Sequence, residues 1–89
     1  MKIEHEEGRF FSKTTHGTAE LLYSKIGSKT ISAYHTFTPE EDRGQGIAEQ
    51  LTAAAFKFAK ERGLKIRPDC PYVQYFLSKH KGWQKYATS

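Results

Sequence analysis

The chain has 89 residues, 37% of them hydrophobic and 27% charged, which is one domain with room for a single core; a chain this size removes a little over ~60% of its unfolded surface from water. Its formal net charge of +4 suits an anionic partner, whether nucleic acid or a phosphorylated cofactor, or merely solubility. Cys70 is the only cysteine, which excludes an intrachain disulfide, and no N-terminal apolar run suggests secretion or membrane insertion, so a reducing cytoplasm is expected.

Met1 to Glu7 is polar and reads as a lead-in, followed by a short strand at Arg9-Phe10-Phe11-Ser12. Thr14-Thr15-His16-Gly17 is turn chemistry, after which Ala19, Leu21 and Tyr23 alternate with Glu20, Leu22 and Ser24 as in a half-buried strand. Gly27-Ser28 marks a hairpin connection. In the clearest strand, Thr30 to Thr38, strict alternation places Ile31, Ala33, His35 and Phe37 on one face and Thr30, Ser32, Tyr34, Thr36 and Thr38 on the other. These three strands make an antiparallel meander.

Thr38-Pro39-Glu40-Glu41 has the form of a capping box with proline at the first helical position. A single helix from Thr38 through Arg62 would carry Gly44 and Gly46 in its interior at ~1 kcal/mol each, so we expect at most one turn there and then a break. From Ile47, the apolar positions Leu51, Ala54, Ala55 and Phe58 keep one helical face up to Gly63, with Lys57, Lys60 and Arg62 near the negative end of the dipole. Leu64 to Arg67 is a short strand, parallel to Thr30–Thr38 because a crossover helix joins them. Pro71 opens a second helix through Tyr72, Val73, Phe76 and Leu77, ending at Gly82, and Trp83 and Tyr86 either lean on the core or form a loose tail. The class is therefore α+β, a mixed sheet of a three-stranded antiparallel meander plus one parallel strand, with two main helices.

The stretch with chemistry is Arg43-Gly44-Gln45-Gly46-Ile47-Ala48, a glycine turn entering a helix. Without side chains at Gly44 and Gly46 a ligand can approach the backbone, and the N–H groups of the first helical turn point at it with the positive end of the dipole. No Ser, Thr, Asn or Asp stands immediately before Gly44 to cap those donors, which suits an anion. A phosphate-cradling G-x-x-x-x-G-K-[ST] loop is absent, and a dinucleotide fingerprint lacks its third glycine. The bland alternative is a plain helix start with two flexible glycines.

What does match is R-x-x-G-x-A at Arg43 to Ala48, which resembles the acyl-CoA-binding motif of the GNAT superfamily of N-acyltransferases. The resemblance extends to a miniature, single-domain subgroup that joins a His-Thr strand, here His35-Thr36, to a G-x-G-I-A turn and then to Pro-x-Cys-x-Tyr-Val, here Pro68-Asp69-Cys70-Pro71-Tyr72-Val73. It implies a GNAT-like mixed sheet over residues 1–89, with acetyl-CoA or CoA as cofactor. The pyrophosphate would lie on Arg43, Gly44, Gln45, Gly46, Ile47 and Ala48, and the pantetheine arm along Thr36, Phe37 and Thr38. A full-length member has helices between its first two strands and further C-terminal strands that wall the acceptor; this chain runs strand, turn, strand, so an open acceptor site is expected.

Transfer to an amine needs a route for the amine proton, an oxyanion site and a proton for the departing thiolate. His35 is a candidate base, since an imidazole ordinarily titrates near ~6.5, or else a core histidine. Cys70, after the last strand and before a helix, is a candidate nucleophile or acyl relay, or a small pocket-lining residue. Tyr72 and Tyr75 are candidates for protonating the thiolate, or packing residues. The expected protein is an acetyl-CoA-dependent N-acetyltransferase, a monomer acting on a small-molecule or protein amine, with no nucleic-acid signature and no membrane segment. The alternative is a non-catalytic CoA-binding or partner-binding module.

Overall fold

The computed structural model describes residues 2–88 and places five strands in one sheet, in the order β1 (Glu4–Glu6), β2 (Arg9–Thr14), β3 (Gly17–Gly27), β4 (Thr30–Phe37) and β5 (Lys65–Pro68). Strands β1 to β4 are antiparallel neighbours; β5 joins β4 in parallel, with Thr30 opposite Lys65 and Ala33 opposite Pro68. The crossover is helix α1 (Ile47–Arg62), and helix α2 (Pro71–Lys79) follows β5. The expected α+β architecture stands, with β1 as an added strand.

One side of the sheet holds the core. Phe10, Ala19, Leu21, Tyr23, Ile31 and Ala33 are buried against Ile47, Leu51, Ala55, Phe56 and Ala59 of α1, and Val73, Phe76 and Leu77 of α2 close over them. The stripe expected on α1 is broader than its sequence suggested: Ala54 and Phe58 are half-buried, while Phe56 and Thr52 are fully buried. Thr52 satisfies its hydroxyl by donating to the Ala48 carbonyl at 2.8 Å, so a polar residue is tolerated in the core. Gly63, with φ of +68°, caps α1 as expected, its N–H meeting the Ala59 and Lys60 carbonyls. Among the described residues no helix is long and apolar enough to cross a membrane.

Three expectations are corrected. Glu4–Glu6, expected as a lead-in, pairs with Arg9–Phe11, because the His5 ring stacks on Phe10 at 4.1 Å and its Nε2 shares a 2.6 Å hydrogen bond with the Tyr23 hydroxyl. The second helix ends at His80, whose N–H bonds the Phe76 carbonyl, and Gly82 lies inside a 3-10 turn, Lys81–Tyr86. That turn brings Trp83 within 6.1 Å of the Phe56 ring, so the tail does lean on the core.

The third correction matters most. Leu22 pairs with His35 but Tyr23 pairs with Ala33, so Tyr34 is the extra residue of a β-bulge. An inserted residue shifts the alternation by one. Thr36 therefore faces the core side opposite the buried Leu21, and His35 and Phe37 turn to the far face with Leu22 and Glu20. His35 is not the core neighbour of Ile31: it is exposed, and Phe37 is 44% exposed. Phe11 and Arg9 share this far face by register, and neither α1 nor α2 covers it.

Candidate functional site

The β4–β5 ladder stops at Ala33 and Pro68, where the Asp69 N–H makes a last 3.1 Å bond to the Ala33 carbonyl. Asp69 is pinned there by the Ser32 hydroxyl and, at 2.7 Å, by Arg67 Nε; these donors hold its carboxyl below its ordinary value. Beyond that point the chain of β5 turns away into α2, and β4 from Tyr34 to Phe37 has no β5 partner.

After β4, a 3-10 turn at Glu40–Asp42 leads into Arg43–Gly46, so the expected single turn and break are present; the capping box is not, because Pro39 rather than Thr38 is the N-cap and no side chain caps the turn. Gly44 and Gly46 have φ of +85° and +77°, a region that disfavours side chains, and a Cβ on either would meet nothing within 4 Å. Gly46 is the N-cap of α1 and offers no side-chain bond, which leaves the first-turn N–H groups available. A cavity of about 420 Å³ opens between this turn, the free end of β4 and the start of α2.

That cavity gathers residues from all three sequence motifs. Thr36, Phe37 and Thr38 line one wall, Arg43, Gly44, Gly46, Ile47 and Ala48 another, and Tyr72 a third. Gln45 points elsewhere, into a separate hollow with Lys13 and Thr14. Arg43 is partly committed to the backbone, its Nε donating to the Thr38 carbonyl at 3.0 Å and tying the turn to the strand end. Tyr72 is half-buried, and burial, then the negative charge of Glu49 and neighbouring Tyr75, push its phenol above the ordinary value. Tyr75 itself is 53% exposed and outside the lining.

Cys70 is 6% exposed and lies behind the lining, its Sγ 3.4 Å from Thr36 Oγ1. It is the N-cap of α2 yet makes no capping bond. His35 sits across the bulge on the far face of the sheet, away from the cavity lining. Two lining residues escaped the sequence reading: Glu49, whose carboxylate meets His80 Nε2 at 2.7 Å, and Asp42. Asp42 ends the run Glu40-Glu41-Asp42, which looks like a solvated face; Glu49 at the third helical position was the readable one, as an acid near a helix start. The arrangement can hold an anion on the glycine turn, an extended arm along the unpaired edge of β4, and a phenolic proton beside that arm.

A family model described as GCN5-related N-acetyl-transferase matches residues 9–86 of the chain. Among curated relatives, Protein NATD1 of Danio rerio is 38% identical over 84 residues, covering 90% of this chain and 76% of that protein. Protein NATD1 of Homo sapiens is 33% identical over 84 residues, covering 90% and 74% respectively. The NMR solution structure of a GCN5-like protein from Staphylococcus aureus superposes with a TM-score of 0.81 at 27% identity, over 99% of this chain and 88% of that one.

Proposed function

The chain belongs to the GCN5-related N-acetyltransferase family, and from that premise we propose that it transfers the acyl group of acetyl-CoA to an amine. The observation that carries this reading is the cavity of about 420 Å³ in which the glycine turn, the unpaired end of β4 and Tyr72 meet. The fit is physical. Open space where Cβ atoms would stand at Gly44 and Gly46 lets a diphosphate reach the backbone, and uncapped N–H groups at a helix start satisfy it.

When bound, acetyl-CoA supplies the acyl group as an activated thioester. The chain's own groups supply the rest. Backbone N–H groups at the unpaired β4 edge would hydrogen-bond to the carbonyl oxygen of a bound thioester and stabilise negative charge there. Tyr72, whose raised value keeps it protonated at neutral pH, gives a proton to the departing sulfur. His35, exposed on the far face of the sheet and outside the cavity lining, would take the proton of the incoming amine through water. Burial of Cys70 behind Thr36 supports direct transfer over a cysteine relay. The acceptor is a small-molecule or protein amine, met by a monomer in a reducing cytoplasm; the helix-free far face supports an open acceptor side.

Titration with acetyl-CoA, CoA and ATP, followed by thermal stability and amide shifts, tests the reading. A ligand at about 100 times its dissociation constant stabilises the fold by ~2.7 kcal/mol, an easily read effect. Acetyl-CoA and CoA should stabilise well above ATP, with the largest shifts at residues 44–48, and acetyl-CoA alone should leave the protein mass unchanged. An equal response to all three ligands would sink the cofactor assignment; an added acetyl mass would overturn direct transfer; binding with no turnover on any amine would favour a non-catalytic CoA module.

A further inference from the structure

Within the glycine turn, the side-chain bond that holds its shape is that of Arg43 Nε to the Thr38 carbonyl at 3.0 Å. Two residues at positive φ follow a 3-10 turn that has no side-chain cap, and each glycine gives the unbound loop more conformations to lose on binding. A second tie, to the rest of the fold, comes from a group that the transfer chemistry leaves unused. Asp42 has a side chain only 3% exposed and lies between two hollows, the one of about 420 Å³ that meets the turn and another of about 500 Å³ on the other side of it.

Every hydrogen bond that Asp42 accepts through its side chain comes from the tip of the β2–β3 hairpin. The Thr14 hydroxyl, whose single proton has the Gly17 carbonyl at 3.0 Å as its other acceptor, donates to the closer, charged Oδ2 at 2.7 Å, the His16 backbone N–H donates to the same oxygen at 3.1 Å, and His16 Nδ1 lies 3.0 Å from Oδ1. The same tip touches the turn a second time: a Cβ on Gly17 would stand 3.2 Å from the Pro39 ring. A bare carboxylate in the wall of an anion site would repel a phosphate; three donors offset that charge and convert it into a tie. The His16 ring first, and then Thr14, hold the carboxyl below its ordinary value, so it is ionised at neutral pH.

We propose that Asp42 is a positioning residue through which the hairpin tip fixes the Arg43–Gly46 turn in the shape that receives a diphosphate. The inference rests on the acyl-CoA reading and adds to it a donor specificity: the tie matters for phosphate-bearing donors and not for the arm that runs along β4. It also assigns a task to the tip of the β2–β3 hairpin.

The test compares two donors, acetyl-CoA and S-acetylpantetheine, which keeps the thioester and the arm but has no phosphate. Dissociation constants for both are measured on the unaltered protein and on Thr14→Val, Thr14→Ser and Asp42→Asn. Loss of one charge-assisted bond in Thr14→Val should weaken acetyl-CoA binding on the order of tenfold. Thr14→Ser, which keeps the hydroxyl, should restore it, and S-acetylpantetheine should bind all folded variants alike. Asp42→Asn should exceed Thr14→Val in the same direction; should it unfold, the Thr14 pair decides. Equal losses on both donors, or unchanged acetyl-CoA affinity in folded Thr14→Val, overturn the proposal alone. If the unaltered protein binds neither donor, the acyl-CoA reading falls and the proposal falls with it.

Discussion

The two halves of β4 obey different rules. From Thr30 to Ala33 the strand is paired on both sides, with β3 and with β5, and Ile31, Ser32 and Ala33 are buried in succession. From Tyr34 to Phe37 it is bulged against β3, unpaired on the β5 side, and exposes Tyr34 at 48% and Phe37 at 44%. One half is completed by the protein, and the other keeps a free edge, which the proposed function gives to a ligand. On that proposal stability and binding fall on different stretches of one strand, so mutations should separate them.

The largest effect should come from the packed side. Phe56 is fully buried and stacks on Phe76 at 5.8 Å, so Phe56→Ala should cost about 3–5 kcal/mol, a large share of the ~5–15 kcal/mol that holds a typical domain. Denaturant unfolding measures it. A cost below ~1 kcal/mol would mean that the core does not rest on this stack, and the contrast between the halves would lose its stable member.

Gly46→Val should act in the opposite sense. Space is open at the Cβ position, so the cost to the fold is the strain of a branched residue at φ of +77°, about 1–2 kcal/mol. CoA affinity should fall on the order of 100-fold, since the methyl groups stand where the diphosphate must approach. Calorimetric titration of the folded variant reads this directly. Unchanged affinity would put the phosphates elsewhere and erase the binding half of the comparison.

The smallest effect concerns acid. Partial desolvation, with a lesser push from Arg62, lowers the value of His5, so folding favours its neutral form. For a base shifted down, the stabilisation is complete above the ordinary value of 6.5 and is lost as pH falls through it toward the lowered one. Unfolding midpoints should therefore decline slightly between about pH 7 and pH 5, and His5→Phe, which keeps the stack on Phe10, should flatten that slope. CoA binding in the same range should be indifferent to the substitution, because His5 stands at the opposite edge of the sheet from β5.

What the sequence disclosed and what it withheld divide along the same line. Gly63 as a helix stop, Pro71 as a helix start and the Gly44–Gly46 break are local backbone chemistry, readable because each residue's own φ preference decides the matter. The bulge at Tyr34 has no such signature; it arises where two registers of β3 against β4 meet, and only pairing at both ends of the strand reveals it. For that reason the faces expected for His35, Thr36 and Phe37 are all inverted, although Thr36 and Phe37 still line the cavity beside the turn. Asp42 was hidden differently: its partners lie 26 and 28 residues earlier, in a hairpin tip that reads as solvent. Strand β1 was missed because its tie is a histidine ring stacked on Phe10, which a count of charges scores as polar.

The bridge between Ala87 and Ile66, with the Thr88 N–H on the Ile66 carbonyl at 2.9 Å, lies along the outer margin of β5. Open sheets recruit other chains through margins of this kind, where unpaired backbone groups template a new strand. Here the Lys65 ammonium also reaches over to the Lys85 carbonyl, and the opposite margin is a three-residue strand bearing two glutamates. Both flanks of the sheet are thus poor templates for the addition of a further strand. Removing residues 87 and 88 would expose β5 to such pairing without touching the cavity beside the glycine turn.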